Sequence, residues 1–220
     1  MMDDELDQLY RSKWDVLSKA IPPNCGMSNP LLAAVPSEYE KLKRRLLIIG
    51  KETHDWGLWD ERSKTDPIRA LRNGYEGFGR GKKWNSPFFQ AARRLQKKLN
   101  PDSDPSAFMW LNLLICDQNQ KTPTPEIIEK LRAISFLREE ISILQPHAVV
   151  FFTGPVYDYT IKHRQYFPDA EFEPQLPLWS KVRAAGLPAK TARTYHPKYL
   201  RLKKQFGILD DISAWITQAQ

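Results

Sequence analysis

Four short apolar runs, separated by stretches with helical spacing, constrain this chain more than any other feature. The first is Leu46-Leu47-Ile48-Ile49, ending at Gly50, and the others fall within 108–116, 148–153 and 191–195. Apolar, β-branched and aromatic runs of this length bounded by turn residues read as buried strands. Between them, 87–99 has a helical period, and 125–144 reads as one long helix with Ile127, Leu131, Ile134, Leu137 and Ile141 inward. Residues 206–216 close the chain as a helix. Residues 3–20 open it with Leu6, Leu9, Tyr10, Trp14 and Leu17 at the same spacing, and a short charged helix precedes the first strand. Strands that alternate with helices pair in parallel, and both faces of their sheet must be covered. The expectation is a single domain on four parallel strands, with an N-terminal helical extension over residues 1–40.

Residues 51–85 break the pattern. They carry five glycines, three tryptophans, Tyr75 and Phe78 among many charges, with no sustained period, and read as a long loop insertion over 53–85. Connections of that length are functional or disordered, and aromatics argue against disorder.

At 220 residues the chain can bury a core without disulfides or metals. No apolar run is long enough to span a bilayer and no signal-peptide-like start is present, so a membrane partner is not expected. Two cysteines, Cys25 and Cys116, give neither a disulfide framework nor a four-thiolate site, which fits a reducing, cytoplasmic setting. The formal charge of +7 is localised: 69–98 holds nine basic residues and one acid, and 190–204 six basic residues and no acid. These stretches read either as solvated helix faces or as a surface that tracks phosphates.

In a parallel sheet, ligands gather beyond the carboxyl ends of the strands. There the sequence places Lys51-Glu52-Thr53-His54-Asp55, Asn112 late in the second strand, Gly154-Pro155, and His196-Pro197. A carboxylate, an amide and an imidazole can meet on one rim.

These residues, in this order, resemble the uracil-DNA glycosylase superfamily. The resemblance spans 46–201 and has five parts: Ile49-Gly50-Lys51-Glu52-Thr53; Ser86-Pro87-Phe88-Phe89; Leu111-Asn112 through Cys116 into Asn119-Gln120-Lys121-Thr122-Pro123-Thr124-Pro125-Glu126; the stretch 137–154; and Tyr195-His196-Pro197-Lys198-Tyr199-Leu200. It implies a three-layer α/β/α fold with a central four-stranded parallel sheet. It implies a monofunctional glycosylase that hydrolyses the N-glycosidic bond of uracil or a 5-substituted pyrimidine in DNA, leaving an abasic site. Glu52 matches the water-activating or charge-stabilising carboxylate, with Asp55 as runner-up. Phe88 matches the ring that stacks on the extruded base, Asn112 the amide that reads its edge, and His196 the group that stabilises the departing base. Leu200 matches a wedge into the duplex. His54 stands where the uracil-specific branch has a tyrosine that excludes 5-substituents, so a wider pocket is allowed. Lys198 and Arg201, together with Arg80, Lys82 and Lys83 of the insertion, are the expected phosphate contacts.

The departures are also specific. The iron-sulfur branch needs four cysteines, and Arg132 stands where its next thiolate belongs, so no cluster, metal or other cofactor is expected. Thr53 replaces a turn proline, and Lys198 replaces a phosphate-binding serine, exchanging a hydroxyl for a point charge. Two other classes compete with the enzyme: a non-catalytic nucleic-acid-binding module of the same fold, and a small-molecule hydrolase on an unrelated α/β sheet. Oligomeric state is not readable from the residues; a monomer is the working expectation.

Overall fold

The computed structural model describes residues 1–21, 25–59, 65–79, 85–175 and 178–218. Among the described residues, eight α-helices and six strands follow one another as α1 (Met2–Ala20), β1 (Leu46–Gly50), α2 (Pro67–Phe78), α3 (Pro87–Leu99), β2 (Met109–Asn112), α4 (Pro125–Ala133), α5 (Leu137–Leu144), β3 (Ala148–Phe151), α6 (Asp158–Ile161), β4 (Glu171–Pro174), β5 (Trp179–Arg183), β6 (Lys190–Thr194), α7 (Pro197–Leu202) and α8 (Ile208–Thr217).

The sheet corrects the expected fold class. It is a mixed six-stranded sheet in the order β2-β1-β3-β6-β5-β4, not a purely parallel sheet of four. β2, β1, β3 and β6 run parallel, and the hairpin β4–β5 adds two antiparallel strands beside β6. The hairpin escapes a reading by apolar runs because β4, Glu-Phe-Glu-Pro, is largely exposed and carries one ring, Phe172. Charged residues and a proline suit such a strand to the sheet edge. By contrast, every residue of β1, β2 and β3 is buried, as strands covered on both faces must be.

Helix α2 lies inside the stretch expected to be a loop. Asp66 caps it by accepting the Arg69 N–H, Pro67 opens it, and Gly79 closes it in the left-handed region at φ 59°. Ile68, Leu71 and Tyr75 form its buried face, while Gly74 and Gly77 on the same helix obscure the period. The expected single helix over 125–144 is broken instead. Ser135 takes the Leu137 N–H on its hydroxyl at 3.2 Å, a local bond that competes with helix continuation, and Ile134 and Phe136 turn into the core. Among the described residues of the N-terminal extension only α1 is helical. Residues 25–40 are irregular, with isolated bridges at Met27 and Ser28 and a turn at the end, and Leu31, Leu32 and Ala33 are buried. Among the described residues no helix is long and apolar enough to cross a membrane.

Much of the positive charge is used internally. Arg72 pairs with Asp3 and Asp7 of α1, Arg94 and Lys98 face Asp210, and buried Arg193 makes a two-pronged pair with Asp158 at 3.0 and 2.9 Å. Among the described residues of the two basic stretches, Arg69, Lys97, Lys98, Lys198, Arg201, Lys203 and Lys204 stay exposed, the last four on α7 and just beyond its end.

Candidate active site

The site forms where β1, β2, β3 and β6 end and α3 begins. Gly50 is the last residue of β1 and lies opposite Asn112, the last of β2. The pairing has a steric reason. A Cβ on Gly50 would fall inside 3.0 Å of the Asn112 carboxamide oxygen and 3.3 Å from Phe88 Cε2. Glycine here makes room for an amide rather than for an unusual turn. The Asn112 oxygen accepts the Trp110 indole N–H at 3.1 Å, while its NH2 group is buried with no partner among the described residues. Buried polar groups normally find partners, so an orphaned NH2 at a strand end marks a place where a ligand would supply an acceptor.

Phe88 stands on the first turn of α3, whose start is fixed by Pro87 and by Ser86, which accepts the Phe89 N–H. Its ring meets Phe152 edge-on at 5.4 Å and lies 5.9 Å from the His196 ring, inclined by 33°. It is half-buried and sits beside Gly50, Asn112 and His196.

His196 caps α7. Its Nδ1 accepts the Lys198 backbone N–H at 3.2 Å, so the neutral ring carries its proton on Nε2. Burial, followed by the charges of Lys51 and Lys198, holds its pKa down at about 4, so the imidazole is neutral at physiological pH. Glu52 lies on the turn after β1. Tyr157 donates to one carboxylate oxygen at 3.0 Å and Thr122 to the other at 3.2 Å. Burial pushes its pKa above the ordinary value, opposed by those two hydroxyls and by Lys51. Lys51 thus acts electrostatically on both Glu52 and His196, and its ammonium lies 5.1 Å from the centre of the Tyr157 ring.

Thr53 has its own structural role. It is buried, donates to Asp117 at 2.8 Å and meets the Ser28 hydroxyl at 2.9 Å, while Asp117 accepts the Gln120 N–H. This network ties the turn after β1 to the loop after β2 and to the N-terminal segment, rigidity that a proline would otherwise supply.

The remaining predicted residues divide. His54 is exposed, with Nδ1 3.0 Å from the Gln120 carbonyl, on the rim rather than inside. Asp55 is exposed at φ 59° and lines a separate cleft of about 330 Å³ with Asn29, Trp56 and α2, so it is not a second carboxylate beside Glu52. Leu200 is fully buried, because it lies on the face of α7 that packs inward; the apolar side chains this helix offers to solvent are Leu202 and, in part, Tyr199. That corrects the wedge assignment. Lys198 is exposed at the start of α7, and Arg201 is exposed, bonded to Gln90 and placed over the Phe206 ring at 5.5 Å. Arg80, Lys82 and Lys83 lie outside the described residues. Among the described residues no group of three or more His, Cys, Asp or Glu is placed to hold a metal ion. Arg132, in the expected thiolate position, donates to Glu129 at 2.5 Å and to Thr160 at 2.9 Å.

Reading the sequence missed Tyr157, Thr122 and Trp110. Tyr157 follows Gly154-Pro155 at the end of β3, the one strand end assigned no chemical group, and its position there is the signal that could have found it. Comparison with known proteins finds no matching family model and no matching curated sequence.

Proposed function

We propose that this protein is a monofunctional DNA glycosylase that hydrolyses the N-glycosidic bond of uracil or a 5-substituted pyrimidine. The observation that carries this reading is the unpartnered Asn112 NH2, set at a strand end beside Phe88 and the neutral imidazole of His196. The arrangement suits a flat heterocycle with acceptors on its edge. Stacking on one aromatic face is worth about 1–3 kcal/mol, which offsets much of the cost of extruding a base from a duplex.

The chemistry follows from the charges that bond cleavage creates. As the bond from the sugar to N1 breaks, its electron pair moves onto the base, and O2 becomes anionic while the sugar becomes cationic. The Nε2–H of His196 hydrogen-bonds that oxygen without having to lose a proton. Glu52, its oxygens held by Tyr157 and Thr122, faces the cation as an anion and orients the water that adds to the sugar. The water's proton leaves through the carboxylate or solvent, and the products are a free base and an abasic site. Lys198 and the other α7 cations supply sequence-independent attraction to the strand.

The test is to incubate the protein with oligonucleotides carrying uracil, thymine mismatches or 5-modified pyrimidines and then treat with alkali. Strand scission that requires alkali is the expected result. No scission on any substrate, with salt-dependent binding retained, would instead identify a non-catalytic binding module.

A further inference from the structure

Trp110 and Asn112 are two residues apart on β2, so their side chains leave the same face of the strand. The Trp110 indole nitrogen donates to the Asn112 oxygen at 3.1 Å. An indole N–H can only donate, so this bond exists in one orientation of the carboxamide alone. Turning the amide over would press its NH2 against another N–H in a buried place and leave two donors without an acceptor. The indole cannot swing aside to relieve this. Its ring is boxed by Trp56 at 5.7 Å, Phe78 at 5.8 Å, Phe88 at 5.9 Å and Phe89 at 5.2 Å. Its backbone is pinned from both sides by the Tyr75 hydroxyl, which accepts the Trp110 N–H at 3.0 Å and donates to its carbonyl at 3.1 Å.

We infer that Trp110 is a specificity-determining positioning residue: by locking the Asn112 amide it makes the site take pyrimidines with a carbonyl at position 4 and refuse those with an amino group there. The inference rests on the reading of Asn112 as the base-contacting group. An unlocked asparagine could serve either class, because a half-turn exchanges its donor and acceptor. With the oxygen already engaged by Trp110, the group lacking a partner is the NH2. The exocyclic O4, with two lone pairs, is the edge atom that satisfies it, while N3–H can use the second lone pair of the Asn112 oxygen. A 4-amino base in the same position sets amino against amine and a ring lone pair against the carbonyl. Trp110 itself touches no substrate in this account.

The experiment compares single-turnover base release from oligonucleotide pairs matched at position 5 and differing at position 4: uracil with cytosine, and 5-hydroxymethyluracil with 5-hydroxymethylcytosine. The wild type and Trp110→Phe are assayed side by side. Phenylalanine keeps an aromatic ring in the cluster and removes the N–H. The wild type is expected to favour the 4-carbonyl member of each pair. In Trp110→Phe that preference should fall by about 10- to 100-fold, the scale set by an unsatisfied buried donor, as the amide becomes free to turn. A general loss of activity at an unchanged ratio, or a wild type that prefers the 4-amino member, overturns the inference. In the wild type the Trp110 indole proton should also exchange slowly with solvent by NMR, and fast exchange would overturn the lock without recourse to a variant. A wild type inert on every base removes the glycosylase reading and this inference with it, whereas an active wild type whose ratio survives in Trp110→Phe removes only the inference.

Discussion

Replacing Gly50 with alanine drives a methyl group into the carboxamide of Asn112. The new Cβ would sit inside 3.0 Å of the amide oxygen and at 3.3 Å from Phe88 Cε2. The backbone gives no reason for strain, since Gly50 is not in the left-handed region and alanine fits a strand. The amide must therefore retreat, on the order of 1 Å, and in doing so it leaves the 3.1 Å bond from Trp110. Leaving that indole donor unsatisfied costs about 1–3 kcal/mol, offset by about 0.5–1 kcal/mol from removing a glycine from a strand interior. A net loss of about 1–2 kcal/mol in urea denaturation is expected. The functional loss should be larger, because a displacement on the order of 1 Å at a positioning group costs about 10²-fold in rate. The assay is single-turnover base release, run beside titration of unmodified DNA. Affinity for that DNA should not change, because Gly50 is buried and the substitution alters no charge. Base release at the wild-type rate in Gly50→Ala would refute the reasoning, since it would mean that the Asn112 amide does not touch the substrate.

Glu52→Gln should lower base release by about 10³-fold, taking roughly 4 kcal/mol for unit charges about 4 Å apart near a protein surface, while DNA affinity is kept; activity within a few-fold of wild type would exclude Glu52. Because burial raises the Glu52 pKa above its ordinary value of 4.5 and the ionised form is the working one, the acid limb of the wild-type pH–rate profile should lie above that value and vanish in Glu52→Gln. His196, held at about 4, should contribute no limb at higher pH. A stability prediction concerns Glu140, buried between α1 and α5, where it accepts the Tyr10 hydroxyl at 2.7 Å. Burial raises its pKa from 4.5 to about 7, so between those values the folded state holds a proton that the unfolded chain has released, and stability falls as pH rises through that window. Glu140→Gln keeps an acceptor for Tyr10 and should be more stable than wild type by up to about 3 kcal/mol near pH 8, with little difference near pH 4; equal denaturation midpoints at both would reject the buried-acid account.

The parts of the fold legible in the sequence are those in which burial writes a period. β1 and β3 are apolar at every position because both faces of the strand are covered, and α3 carries its own start and stop in Ser86, Pro87 and Asn100. The β4–β5 hairpin was not legible, because an exposed edge strand needs no apolar run and is defined by the partner it pairs with. Helix α2 had its cap, proline and closing glycine in plain view at Asp66, Pro67 and Gly79, but two internal glycines diluted the signal.

The residues of the candidate site were legible as types. A carboxylate, an amide and an imidazole stood at the ends of three of the four apolar runs, and a parallel arrangement brings such positions to one edge. Which of the repeated types belongs there was a tertiary matter. Glu52 and Asp55 are three residues apart, yet Tyr157 and Thr122 hold the first, while the second turns into another cleft. Leu200 and Leu202 are two apart on a helix, and its rotation alone buries one and exposes the other. By itself, the sequence determined where the four parallel strands lie and which polar residue types stand at their carboxyl ends. Only the tertiary structure decided which rim each side chain faces, which imidazole nitrogen carries the proton and which way the Asn112 amide points. The first of those choices depends on partners about a hundred residues away, as Tyr157 is from Glu52; the other two are set by Lys198 and Trp110, close in sequence to the groups they fix, but only because packing holds those side chains in place.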